Sequence, residues 1–74
     1  MSPNKTKIAK RFAKIRGTRS YRAFSDDTGI SVSLLQRYET EGGLPSAENI
    51  IALAETQSVS PTWLLLGVGP LFLR

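Results

Sequence analysis

The sequence predicts an all-α fold, a compact bundle of five helices. Three observations carry this. Serines at positions 20, 31, 46 and 60 each precede a stretch with apolar periodicity, where a hydroxyl can accept from a free backbone N–H of a first helical turn. Glycines stand where those stretches end, at Gly17, Gly29, Gly42-Gly43 and Gly67. Apolar residues recur at spacings of three and four, and no stretch makes a convincing strand.

Residues 1–4 are expected to be a loose tail. In residues 5–16 Ile8, Phe12 and Ile15 form one stripe of a helix, with Ala9 and Ala13 beside it and cations on the other faces. Gly17-Thr18 ends this helix. Ser20 caps a short second helix over residues 21–28. Gly29 follows where the backbone needs positive φ, which glycine adopts without a Cβ clash. Ile30 plugs the turn, and Ser31 caps a third helix over residues 32–40. Phe24, Ile30, Leu35 and Tyr38 are the apolar set that holds this pair against another helix. Val32, Ser33, Gln36 and Arg37 remain as the exposed set.

Two glycines and a proline in residues 40–45 mark a loop, with Leu44 expected to anchor it to the core. Ser46 caps a fourth helix reaching residue 56 or 57, with Glu48 favourably placed in its first turn. Ala47, Ile50, Ile51, Leu53 and Ala54 give it a broad apolar face. Residues 58–59 return the chain. Ser60-Pro61 is a strong helix start, and Gly67 stops this last helix. Trp63 is expected to cover the bottom of the bundle. The apolar tail, residues 68–74, is expected to mediate self-association. Folding back onto the core, or the start of a linker, are the alternatives.

Seventy-four residues make a single domain. With no cysteine there is no disulfide or thiolate metal site, which fits a reducing cytoplasm. With no histidine the commonest general base and metal ligand is missing. No nucleophile–base pair or metal-ligand spacing is visible, so neither an enzyme nor a cofactor or small-molecule site is expected. The longest apolar stretch, residues 63–73, is too short to span a bilayer and is interrupted by Gly67, Gly69 and Pro70. The net charge is +4, and eight of the ten basic residues lie within the first 22 positions, ahead of any acidic residue. This asymmetry points to an anionic partner, nucleic acid before an acidic membrane surface.

The unit spanning residues 20–39 resembles the helix-turn-helix of the Cro and phage-repressor-like family of bacterial and phage transcription regulators. The Gly29-Ile30-Ser31 turn, Leu35 and Glu39 carry the likeness, together with Pro45-Ser46 and the SPTWLLLGVGP segment, so it covers about residues 7–70. The chain departs from the family at Tyr21, where glutamine is usual, at Ser25, where a small alanine is usual, and at Lys14, where arginine is frequent.

The resemblance implies a lambda-repressor-like domain that binds double-stranded DNA, with the N-terminal part of the third helix in the major groove. Val32, Ser33, Gln36 and Arg37 would then face base edges. Arg37 suits guanine, with a phosphate contact as its alternative, and Gln36 suits either adenine or a phosphate. Arg19, Ser20, Tyr21, Arg22 and Ser31 would hold phosphates. By the same resemblance Lys14 pairs with Glu39. The implied function is a cytoplasmic repressor binding a palindromic operator as a homodimer. An antitoxin of a toxin–antitoxin pair, or an interaction module that has lost DNA affinity, are the competing readings.

Overall fold

The computed structural model describes residues 4–73. Met1–Pro3 of the expected loose tail, and Arg74 at the end of the expected C-terminal tail, lie outside the described residues. Five helices follow in order: α1 Lys5–Arg16, α2 Tyr21–Thr28, α3 Val32–Thr40, α4 Ala47–Gln57 and α5 Pro61–Leu66. Each opens on a side-chain cap. The serines at 20, 31, 46 and 60 accept from backbone N–H groups as their positions predict. Asn4, expected in the tail, is the fifth cap, its Oδ1 accepting from Lys7 N at 3.0 Å.

The core is assembled from all five helices. Ile8, Phe12 and Ile15 of α1 meet Phe24 of α2, Leu35 and Tyr38 of α3, Leu53 of α4 and Leu64 of α5. Phe12 and Tyr38 stack with ring centroids 4.7 Å apart, which fixes α1 against α3. Ile30 plugs the turn between α2 and α3, and Trp63 packs half-buried against the core as expected. Arg11 reaches from α1 to the last turn of α5 and donates to the Leu64 carbonyl at 3.1 Å, where the helix dipole favours a cation.

Several expectations are corrected. Leu44 does not anchor the loop after α3: it is 65% exposed, and the neighbouring Pro45 is buried instead. The loop is also held at Gly42, which has φ +75° and lies against the Lys5 carbonyl. The apolar face of α4 is narrower than its composition suggests. Leu53 alone is buried on it, Ala47 is exposed, and Ile51 stays 55% exposed. The cap after α4 is Ser58, a non-glycine residue at φ 55°. The tail folds back through its last residues. Ser60 N donates to the Leu71 carbonyl at 2.8 Å and Leu73 N to the Ser58 carbonyl at 2.7 Å. An antiparallel bridge joins Val59 to Phe72, and Leu71 packs on the core. Val68, Phe72 and Leu73 remain exposed.

Candidate nucleic-acid interface

The turn between α2 and α3 is laced by side chains of α2. Gly29 takes φ +79°, and its N–H donates to the Ser25 carbonyl at 2.8 Å. Ser25 Oγ donates to the Ile30 carbonyl at 2.6 Å. The buried Thr28 hydroxyl donates to the Phe24 carbonyl at 2.8 Å and accepts from Ile30 N at 3.2 Å. A hydroxyl at position 25 therefore satisfies a turn carbonyl that an alanine would leave unpaired. These bonds leave α3 little freedom to swing on α2.

A second brace holds the far end of α3. Glu39, with its side chain 6% exposed, accepts from Arg16 Nε at 2.7 Å and Arg16 Nη2 at 3.0 Å. Arg16 Nη1 donates to the Arg19 carbonyl at 2.7 Å, and the guanidinium lies 4.3 Å over the Tyr21 ring. Hydrogen bonding to Glu39 raises the Arg16 pKa above its ordinary value, against a smaller lowering by burial. The expected Lys14–Glu39 pair is thereby corrected. The reason is helical phase: Arg16 lies four residues after Phe12, on the side facing α3, whereas Lys14 is exposed on the opposite face. The fork of an arginine also supplies the bidentate geometry that a lysine lacks.

The exposed face of α3 matches the sequence pattern at Ser33, Gln36 and Arg37 but not at Val32. Ser33, Gln36 and Arg37 are exposed and Val32 is half-buried. Spacings of three and four residues put Ser33, Gln36 and Arg37 on one face of the helix. Arg37 Nε lies 3.3 Å from Glu41 Oε2 in an i,i+4 pair whose side chains are 71% and 67% exposed. Such a pair holds by only about 0.3–0.5 kcal/mol. A bidentate guanine contact offers about 1–3 kcal/mol, so Glu41 does not keep Arg37 from a base. Leu34 packs partly buried and lines a groove with Tyr38 and the glycines of the following loop.

The expected phosphate-binding set divides. Ser20 Oγ accepts from Ala23 N at 3.0 Å and Ser31 Oγ from Leu34 N at 3.3 Å. The first N–H groups of α2 and α3 have no intrahelical acceptor and point out of the helix ends. Arg22 is exposed on α2. Arg19 is committed elsewhere. It donates to Asp27 at 2.9 Å, to the Ile15 carbonyl at 2.8 Å and to the Arg16 carbonyl at 3.1 Å, and it lies 4.7 Å over the Phe24 ring. It caps the end of α1. The Tyr21 hydroxyl is likewise turned inward, donating to Glu39 Oε1 at 3.3 Å.

A helix-turn-helix family model matches residues 7–64, well over half of the chain. The chain belongs to the Cro- and phage-repressor-type helix-turn-helix family. No curated protein and no solved structure matches it. This helix-turn-helix family consists of DNA-binding regulators of phages and bacteria rather than enzymes, and its match takes in α2, the turn and α3 in full. No helix among the described residues is long and apolar enough to cross a membrane.

The sequence reading missed Arg16, Arg11, Asn4 and Asn49. Arg16 carried a usable signal in its phase with Phe12. Asn49, whose Nδ2 donates to the Tyr38 hydroxyl at 3.0 Å, carried none.

Proposed function

We propose that this chain is a sequence-specific double-stranded DNA-binding transcription regulator, a repressor that occupies a palindromic operator as a homodimer. The observation that carries the reading is the outward face of α3. Ser33, Gln36 and Arg37 share it, and the buried Glu39 brace and the laced turn hold the helix rigid behind it. A rigid helix with exposed polar side chains is what base-edge recognition requires. In this reading Arg37 donates twice to a guanine, Gln36 and Ser33 meet neighbouring bases, and Val32 packs on a thymine methyl. Arg22 and the N–H groups behind the Ser20 and Ser31 caps hold phosphates.

Two further observations support a dimer. The domain measures 32 × 28 × 23 Å, so two copies side by side suit half-sites about 34 Å apart. Leu66, Val68, Phe72 and Leu73, exposed between α5 and the tail, are an apolar surface for a second copy. Repression follows from occupancy of promoter DNA.

The test is selection of bound sequences from a random duplex pool, then titration of the selected duplex at two salt concentrations. One motif with two-fold symmetry is expected, and Arg37→Ala should relax one position of each half-site by about 1–3 kcal/mol. Motif-free binding that moderate salt abolishes refutes the reading.

A further inference from the structure

Tyr21 opens α2, at the end where the chain would meet phosphates, yet its side chain turns to the interior of the unit. The hydroxyl donates to Glu39 Oε1 at 3.3 Å. The ring lies under the Arg16 guanidinium at 4.3 Å. Glu39 thus takes donors from two helices: Arg16 Nε and Nη2 from α1, and the phenol from α2. The carboxylate itself belongs to α3. One residue closes a three-helix junction.

Each half of Tyr21 has its own task there. The ring gives the guanidinium a flat platform, so that the plane of the fork stays aligned with the carboxylate. The hydroxyl occupies a lone pair on Oε1 and fixes the rotation of the carboxylate about its own axis. Glu39 sits two residues beyond Arg37 and three beyond Gln36. A tilt of α3 at Glu39 therefore displaces both side chains that face the bases.

We propose that Tyr21 is a positioning residue for sequence discrimination: through Arg16 and Glu39 it sets the pose of α3 on the duplex, and it does not itself contact DNA. The proposal rests on the DNA-binding reading above. It replaces the phosphate contact that the family resemblance implies for Tyr21.

The test uses the full chain with the duplex recovered by selection and a scrambled duplex of equal length. Tyr21→Phe removes the hydroxyl and keeps the ring, and Tyr21→Ala removes both. Circular dichroism fixes a temperature at which every variant is folded. Loss of one long hydrogen bond, 3.3 Å, should lower operator affinity about three- to tenfold in Tyr21→Phe, with a larger loss in Tyr21→Ala. Binding to the scrambled duplex should be unchanged, because phosphate contacts carry it. In a Glu39→Gln background Tyr21→Phe should have almost no further effect on the operator, since the two act as one unit.

Equal loss on both duplexes, or full additivity with Glu39→Gln, overturns the proposal and restores a phosphate contact. Unchanged discrimination in Tyr21→Phe and Tyr21→Ala also overturns it. Should the unaltered protein select no motif, the DNA-binding reading falls and the proposal falls with it. That outcome is read on the unaltered protein alone, so the two failures are distinct.

Discussion

Replacing Arg16 with methionine tests the brace behind α3 directly. Arg16→Met keeps an unbranched apolar stem beside Tyr21, and it removes the fork. Glu39 then loses bonds of 2.7 and 3.0 Å, while its side chain remains only 6% exposed. The Tyr21 hydroxyl at 3.3 Å is the donor left to it. Breaking a buried pair from one side costs about 3–5 kcal/mol. Arg16 is 23% exposed, so water can reach part of the vacated space, and the lower end, about 3 kcal/mol, applies. For a domain of this size that is a fall in melting temperature of about 12–24 °C.

The control is Lys14→Met. Lys14 is exposed on the far face of α1 and should change stability by less than about 0.5 kcal/mol. Thermal and denaturant unfolding of the three proteins is the assay. The pH dependence adds a second reading. Hydrogen bonding to Glu39 raises the Arg16 pKa on folding, so its contribution is complete below the ordinary arginine value and is lost only as pH rises past the folded one. The difference between unaltered protein and Arg16→Met should therefore be flat from about pH 6 to about pH 10. A Lys14→Met loss as large as that of Arg16→Met refutes the reasoning. So does a difference that collapses well below pH 10.

Three other outcomes follow from the geometry. Gly42→Ala places a Cβ on the Lys5 carbonyl at φ +75° and should cost about 2 kcal/mol or more, read as a lowered unfolding midpoint. Ser58→Gly relieves a left-handed serine at φ 55° and should raise stability by about 0.5–1 kcal/mol, with the Leu73 bond to its carbonyl retained. Arg22→Ala should reduce the slope of log affinity against log salt by about 0.9 and lower binding evenly across sequences, as the phosphate contact proposed for it requires.

The helices were legible because several local signals agreed at each end. Serine hydroxyls mark the starts of α2 to α5, and glycines or the apolar period mark the stops, so capping chemistry and packing point the same way. What was not legible is direction. Residue type says what Tyr21 and Arg19 can bond, not which way they turn, and both turn inward to neighbours brought close only by folding. Lys14 was matched to a partner by likeness, while Arg16 held the correct helical phase with Phe12. Apolar composition also overstates burial. Leu44 and Ile51 read as core residues, but coverage depends on which elements lie opposite, and there Pro45 and Leu53 take the buried places. The outward face of α3 was legible because it is what remains once Leu35 and Tyr38 are assigned to the core.

The five helices are 12, 8, 9, 11 and 6 residues long. In isolation, helices shorter than about 12–15 residues are marginal in water. Each cap lowers the cost of starting a helix, yet none of these segments persists until it meets the shared core. Order in this chain is therefore collective. Loosening one helix exposes the apolar stripe of another, and unfolding should show a single transition by every probe. The contacts that close the bundle join α1 to α3 and α5 and α2 to α4 as well as α2 to α3, so helices distant in the chain must come together before any of them is secure.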